Sequence, residues 1–362
     1  MNRFEKLDHE KQISRSVITS LRNEKILGAN SFIKSLLEFR RSKKLHDTYI
    51  TGVKEAIKYN GFNKIFVEYR LDGTVTGRLS NAGYSVGNNS MGISFHTLPR
   101  ESKFNIRNYV VAPRGHKFIT ADMKSMELRV LAHLAKEKNM AKAFNERMDL
   151  HTYSASMTFG KPMDKVTKEE RQIAKAVSFL TVYGGTEKTL AMKQGISFKK
   201  AKGIIEGWMA AFPGVPRYME HIDDFIKRNK YAYTIFGRRR NLPNAASEAK
   251  YIREQAFRQG LNFTVQSSAS DTLVCCMLGL HQELKKRKMQ SKIVATVHDS
   301  LELIAPDSEV DETIRLLHYH MTEYPYIKEN FGITFSVPLE IEVMVGDSFG
   351  SGEEYHISSP TS

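Results

Sequence analysis

The apolar and polar positions of this chain alternate between two periods, helical and extended. Residues 1 to 58 are rich in Lys, Arg, Glu and Leu, with Ile33, Leu36 and Leu37 on one side and Arg40, Arg41, Lys43 and Lys44 following. This predicts an extended helical module with a basic end, suited either to solvation or to phosphate contact. Residues 65–71, IFVEYRL, alternate as a strand does, and the Gly-, Ser- and Asn-rich DGTVTGRLSNAGYSVGNNS after them predicts a long loop. Arg78 sits in that loop among small residues that would let a nucleic-acid backbone come close. The apolar run KFITAD predicts a strand ending at Asp122, after which Met126, Val130, Leu131 and Leu134 take up helical spacing. Asp122 is thereby placed at a strand-to-helix junction, where a sheet fixes a carboxylate while its tip stays open.

Residues 134–257 are mostly helical in pattern, broken at Gly160-Lys161-Pro162, Gly184-Gly185 and Pro213-Gly214-Val215-Pro216. Within them Arg171, Lys175, Phe179 and Tyr183 recur every fourth residue. On an α-helix each is displaced about 40° from the last, so all four share one broad face. Cationic at its start and aromatic at its end, this stripe suits a nucleoside triphosphate; it also describes a solvated Arg and Lys beside two core aromatics. YAYTIFGRRRNLP reads as a hairpin-like element carrying the basic cluster Arg238, Arg239 and Arg240. Helical spacing returns over 252–288, where Arg258, Asn262 and Gln266 are four apart and share a face. KIVATVHDSLELIAP predicts two apolar strands around a tight turn at His298-Asp299-Ser300, with Asp299 at its tip. In VPLEIEVMVG, Leu339, Ile341, Val343 and Val345 alternate with Glu340 and Glu342, predicting a half-buried antiparallel strand that closes the sheet.

Composition narrows the class. At 362 residues the chain exceeds one typical domain, which predicts two or three subdomains. Its 54 Lys and Arg against 40 Asp and Glu leave a net charge of +14, favouring a polyanionic partner, nucleic acid ahead of an anionic membrane. No stretch reaches the roughly 18 apolar residues of a membrane span, and Met1 to Asn30 is too charged for a signal-peptide core, so a cytosolic protein is expected. Cys275 and Cys276 are adjacent, which offers neither a disulfide framework nor metal-ligand spacing.

Asp122 and Asp299, each at a strand end, could jointly hold two divalent cations for phosphoryl transfer, or could each serve only a turn. Spacing alone does not pair residues so far apart. Three segments considered together do: DMKSMELR at 122–129, the R-x-x-x-K-x-x-x-F-x-x-x-Y-G of 171–184, and VHDSLEL at 297–303 resemble the three signature motifs of family A DNA polymerases, those like DNA polymerase I. TGRLS at 76–80, RVLAHL at 129–134, DLHTYSASMTFG at 149–160, TIFGRRRNLP at 234–243, the face at 258–266 and VPLEIEV at 337–343 follow in family order, from about residue 36 to 350.

The resemblance implies an α+β right-hand polymerase fold, an antiparallel palm sheet with helical fingers and thumb. A shortened thumb would occupy 1–70, the palm 71–140 and 258–362, and the fingers 141–257. It implies template-directed addition of deoxynucleotides to a primer 3′ end with pyrophosphate release, Asp122 and Asp299 binding two Mg2+ ions. By the same likeness Arg171 and Lys175 hold the triphosphate, Lys175 also serving as acid for the leaving group, and His151 of DLHTY joins the nucleotide site. Phe179 stacks on the incoming sugar and base, Tyr183 guards the template position, and Glu127 gates against a ribose 2′-hydroxyl. Phe179, where some relatives have Tyr, implies poor acceptance of dideoxynucleotides. Arg78, Arg258, Asn262, Gln266 and His298 would lie along the primer-template minor groove, whose acceptor positions are shared by all base pairs.

Departures from the family pattern are Ser300, where many members carry Glu directly after the motif Asp, and Met123 and Lys124 in the first motif. Glu302 shares a strand face with Ser300 and is expected to contribute to metal or primer-end electrostatics. Fewer than about 40 residues precede the resemblance, below the usual size of a domain, so no proofreading exonuclease is expected in this chain. Primer-template DNA and dNTP are the expected partners, with a separate exonuclease or processivity subunit as a further one. The chain is expected to act as a monomer in the cytoplasm of a bacterial or phage-infected cell. Two other readings are a template-dependent RNA polymerase or reverse transcriptase, of which Glu127 disfavours the RNA polymerase, and a DNA-binding relative that has lost catalysis, which the joint presence of Asp122, Asp299, Arg171 and Lys175 disfavours.

Overall fold

A computed structural model describes residues 31–61, 63–86, 89–91, 93–99 and 105–355. The helical pattern expected over residues 1–30 lies outside them. The chain divides into two compact units, one of residues 1–68 with 82–94 and the other of residues 69–81 with 95–362. In the first, helix α1 (Ser31–Lys44) runs through a π-helical stretch, Leu45–Thr51, into α2 (Gly52–Asn60). Arg41, Lys43 and Lys44 fall in the last turn of α1, and the helical backbone continues past them to Asn60, where Gly61 caps it in the left-handed conformation. The stretch expected to be one long loop instead contains short strands, with Tyr84–Val86 pairing Asn89–Met91. Ladders of three residues are too short for period-two alternation to register in sequence.

The second unit is built on an antiparallel sheet of β1 (His116–Met123), β2 (Lys292–Val297), β3 (Ser300–Pro306), β4 (Ile341–Gly346) and β5 (Glu353–Glu354), in the order β5-β4-β1-β3-β2. Central β1 is apolar because it is covered; Phe118, Ile119, Ala121 and Met123 are all buried. The helices that follow are α3 (Met126–Leu134), α4 (Lys138–Asn145), α5 (Leu150–Phe159), α6 (Lys168–Val182), α7 (Glu187–Gln194), α8 (Phe198–Ala211) and α9 (Gly214–Asn229). After the hairpin Tyr231–Tyr233/Arg239–Asn241 come α10 (Lys250–Asn262), α11 (Ser268–Lys286), α12 (Val310–His318) and α13 (Pro325–Phe331). The expected breaks are helix ends: Gly160 caps α5 at φ 64, and Gly184 follows α6 at φ 63. At the third break Gly214 is required by packing, since a Cβ there would meet Ala135 O at 2.9 Å and the Glu137 carboxylate at 2.6 Å.

Helix α6 carries the stripe and is anchored at both ends of its length. Thr167 and Glu170 form a capping box, with Glu169 and Glu170 in the first turn. Its inner face packs Ala174, Val177 and Leu180 into the main core, and Ser178 Oγ accepts from Trp208 Nε1 of α8 at 3.2 Å. Trp208 is fully buried against Phe212, their rings 5.0 Å apart. A smaller core joins Ile222 and Ile226 of α9 to Leu242, Ala256 and Leu261. Residues 337–339, expected within the last strand, precede it; β4 begins at Ile341. Among the described residues no helix is long and apolar enough to cross a membrane.

Candidate active site

The sheet brings the two expected carboxylates together. Asp122 on β1 pairs directly with Ser300 on β3, and Met123 N donates to Asp299 O at 3.1 Å. Asp299 occupies the two-residue turn between β2 and β3, where His298 adopts φ 58. On its other side Asp122 pairs with Glu342 of β4, so Glu342, Asp122 and Ser300 form a row on one sheet face. Glu342, which alternation alone marks as the solvent side of a strand, thus stands beside the site, where it pairs with Lys124 at 3.7 Å. Among the described residues no group of three or more His, Cys, Asp or Glu side chains is arranged to enclose a metal. Carboxylates at the end of β1 and in the turn before β3 nevertheless fit Mg2+ in kind, which is commonly held by one or two carboxylates with substrate phosphates and water completing its shell.

Glu302 lies one row deeper, opposite Thr120, and is fully buried. Its carboxylate accepts from Ser300 Oγ at 2.6 Å and from Thr120 Oγ1 at 2.5 Å. Burial pushes its pKa up to about 7, against the pull of those two hydroxyls and of Arg107. The unfolded chain ionises Glu302 near its ordinary value of 4.5, so folding binds an extra proton between about pH 4.5 and 7 and stability falls across that window as pH rises. Glu302→Gln, which keeps the shape and can pair with both hydroxyls, should therefore gain stability relative to the parent, by on the order of 3 kcal/mol above pH 7, with little difference below pH 4.5. Denaturant midpoints measured in EDTA across pH 4 to 9 check this, and parallel pH curves for the two proteins would refute it.

Glu127, in the first turn of α3, is 5% exposed and gathers three donors. Arg78 Nη2 donates at 2.6 Å, Tyr183 OH at 2.7 Å and Gln266 Nε2 at 3.3 Å. Arg78 Nη2 also reaches Asp299 Oδ1 at 3.4 Å, which links Glu127 to the carboxylate turn. Burial, then Glu127, raises the Tyr183 pKa, so the phenol stays a donor. Arg78 is steered by its neighbour: Gly77 sits at φ 66, with the Arg238 guanidinium where a Cβ would stand, and Ser267 Oγ bonds Thr76 O.

The α6 stripe shares a face as expected, and its cationic end is already engaged. Arg171 donates from Nε at 2.9 Å and from Nη2 at 2.8 Å to the two oxygens of Asp149. Asp149 also N-caps α5 through Thr152 N at 2.7 Å, and the Arg171 hydrogen bonds hold its pKa far below the usual carboxylate range. Lys175 is exposed one turn on. His151 is buried, its ring 6.0 Å from Phe179, and burial lowers its pKa to about 4, with Lys175 and Arg171 adding to that and Asp149 opposing it. The Phe179 and Tyr183 rings lie 6.4 Å apart at 16°, a stacked aromatic step at the end of α6.

The expected face of Arg258, Asn262 and Gln266 is not one regular helix. A π-helical stretch, Phe263–Ser267, joins α10 to α11 and turns Gln266 onto Glu127, while Asn262 Nδ2 contacts Gln266 Oε1 at 3.4 Å. Arg258 packs over Gly184, and both line a cavity of about 230 Å3 behind the end of α6. Each member of the basic cluster has a partner within the chain: Arg238 pairs with Asp271 at 2.7 Å, the exposed Arg239 stacks on the Tyr231 ring at 3.6 Å, and Arg240 donates to Gln259 at 3.2 Å. His298 is exposed, and its ring stacks on His96 at 5.2 Å. His96 and Asp149 carry little signal in sequence: the first has no periodic setting, and the second shows only as the N-cap that opens DLHTY.

Comparison with known proteins follows the same residues. The model of DNA polymerase family A matches residues 2–351, so the likeness reaches further towards the N-terminus than the motifs suggest. DNA polymerase I of Bacillus caldotenax is 32% identical over 327 residues, covering 90% of this chain and 36% of that protein. DNA polymerase I of Streptococcus pneumoniae is 34% identical over 317 residues, covering 87% and 34%. The thermostable DNA polymerase I of Thermus aquaticus is 30% identical over 348 residues, covering 95% and 39%. The chain therefore spans little more than a third of the length of these relatives. The POL domain of Pol1 from M. smegmatis, solved in complex with DNA primer-template and dNTP, is similar at a TM-score of 0.81 and 29% identity, over 93% of this chain and 56% of that one. The architecture is thus the α+β polymerase fold, and the chain belongs to DNA polymerase family A.

Proposed function

We propose that this chain is a template-directed DNA polymerase that adds deoxynucleotides to a primer 3′ end and releases pyrophosphate. One observation carries the reading: β1 and β3 set Asp122 and Asp299 side by side, and the Arg78–Glu127–Tyr183 contacts tie that pair to the end of the α6 stripe. Residues 71–140 and 258–362 serve as palm, 141–257 as fingers and 1–70 as a shortened thumb. Asp122 and Asp299 would hold two Mg2+ ions, which when bound activate the attacking oxygen and neutralise the leaving group. Arg171 exchanges its Asp149 partner for the triphosphate, a substitution of one bidentate anion by another. Lys175, on the same face one turn nearer the aromatics, adds charge there and offers a proton to the departing pyrophosphate. His151, held neutral by burial, packs beside Phe179, where it can donate to a phosphate oxygen without charge repulsion from Arg171 and Lys175. Phe179 and Tyr183 provide the stacking step for the incoming base. Arg78, Arg258, Asn262, Gln266 and His298 serve the primer-template, the partner that the M. smegmatis protein was solved with.

Primer extension with Mg2+ and deoxynucleotides on a DNA template tests the reading, and template-independent products or none would overturn it. Parallel reactions with ribonucleotides and with an RNA template separate the RNA polymerase and reverse transcriptase readings. Phe179→Tyr, which adds one hydroxyl facing the sugar site, should raise dideoxynucleotide incorporation relative to deoxynucleotide by at least about tenfold, since a polar group left unpaired or newly paired there is worth a few kcal/mol. Equal chain-termination ratios for both proteins would remove that role for Phe179.

A further inference from the structure

Strand β2 is the outermost strand of the sheet, so half of its backbone groups face away from β3 and need partners elsewhere. At Thr296 they find side chains from two distant segments. The Tyr69 hydroxyl accepts from Thr296 N at 2.9 Å and donates to Thr296 O at 2.9 Å, sealing both groups at once. His96 Nε2 donates to the same carbonyl at 3.0 Å, which places the ring proton on Nε2. Tyr69 meets His96 edge-on at 6.1 Å, and Asn81 Oδ1 accepts from His96 N at 3.3 Å. The free face of His96 then stacks on His298 at 5.2 Å and 26°.

Thr296 is two residues before the turn that carries His298 and Asp299. That turn needs an external hold, because His298 sits at φ 58, a backbone conformation that costs a non-glycine residue roughly 1–2 kcal/mol. The strand leading into it is also irregular, its pairing with β3 shifting between Ile293 and Ala295. Neither of the contacts at Thr296 belongs to the sheet ladder, and neither Tyr69 nor His96 reaches the carboxylates themselves.

We propose that Tyr69 and His96 are positioning residues for nucleotidyl transfer, clamping the end of β2 so that the strained turn presents Asp299 to Asp122 and His298 to the primer terminus. The proposal rests on the polymerase reading of Asp299. One backbone bond, Met123 N to Asp299 O, ties the turn to the strand of Asp122, so a slip of the turn that breaks it moves one carboxylate against the other, and misplacement of a reacting group by about 1 Å can cost on the order of 100-fold in rate.

Tyr69→Phe keeps the ring and removes both hydroxyl bonds; His96→Phe keeps a stacking ring and removes the Nε2 bond; His96→Gln restores a donor without the ring. In single-turnover extension, Tyr69→Phe should lose about tenfold or more in rate, with the apparent KM for dNTP and the Kd for primer-template within about twofold of the parent. His96→Gln should recover part of the rate lost in His96→Phe. A second readout needs no activity: exchange of the Thr296 amide hydrogen should accelerate about tenfold or more in Tyr69→Phe, while amides of central β1 keep their protection. If the parent extends primers and Tyr69→Phe does so at the same rate, or if Thr296 exchange is unchanged, the clamp is wrong. If the parent itself fails to extend primers, the polymerase reading fails instead, and the exchange measurement still decides whether the clamp exists.

Discussion

Asp122→Asn and Asp299→Asn should each reduce primer extension by at least about 1,000-fold, equivalent to roughly 4 kcal/mol of transition-state stabilisation. The substitutions are isosteric, and the backbone pairing of Asp122 with Ser300 and of Met123 N with Asp299 O does not depend on either carboxylate. What is lost is the negative charge by which, on the proposed reading, each side chain would hold Mg2+. Stability should change little, and affinity for primer-template should hold or rise, because a negative charge has been taken from the surface proposed to meet phosphates. For Asp299 there is a further consequence. Its Oδ1 shares Arg78 Nη2 with Glu127, so the Asn variant leaves Arg78 wholly to Glu127 at 2.6 Å. Single-turnover extension beside a primer-template binding titration checks the pair, and either variant retaining a tenth of the parent rate would overturn the metal assignment.

Glu127→Ala should admit ribonucleotides, lowering the preference for deoxynucleotides in kcat/KM by at least about 100-fold, or about 3 kcal/mol. Its side chain is 5% exposed and fixed by Arg78, Tyr183 and Gln266, so a 2′-hydroxyl arriving there cannot push it aside without breaking hydrogen bonds to three partners. The same substitution should slow deoxynucleotide addition, because it removes the acceptor that holds Tyr183 at the end of α6 and takes a partner from the buried Gln266 amide. Glu127→Gln separates the two roles: it keeps the volume of the gate while weakening the hold on the Arg78 guanidinium. Ribonucleotides should still be refused by Glu127→Gln, at a reduced deoxynucleotide rate. Unaltered sugar discrimination in the Ala variant would remove Glu127 as the gate.

Local pattern carried much of this site. Asp122 at the end of an apolar run, Asp299 in a turn between two apolar strands, and four residues at helical spacing from Arg171 to Tyr183 are all legible because strand period, helix period and Gly or Pro punctuation act over a few residues. The ends of α5 and α6 at Gly160 and Gly184 follow the same rule. Less local features read less well. Arg238, Arg239 and Arg240 read in sequence only as a basic cluster, and their partners Asp271, the Tyr231 ring and Gln259 come from tertiary packing. Arg258, Asn262 and Gln266 look like one helical face, yet a π-helical stretch intervenes and Gln266 lands on Glu127. Nothing in sequence announces the wide turn, because its residues are ordinary helix formers with a different hydrogen-bond register.

By itself, then, the sequence determined the longer helices and strands and the shared face of the α6 stripe, together with the order of motifs that marks the family. Only the tertiary structure decided which of those faces meet. Glu127 draws donors 49, 56 and 139 residues away, and Glu302 draws one from Thr120, 182 residues away, after the β1–β3 register has buried it. Arg171 is held by Asp149, and Thr296 by Tyr69 and His96, through contacts that no local period encodes. The physical reason is common to all of them: helix and strand period and turn residues act over a few positions of the chain, whereas a buried polar group takes whichever partner the packing of distant elements brings within about 3 Å.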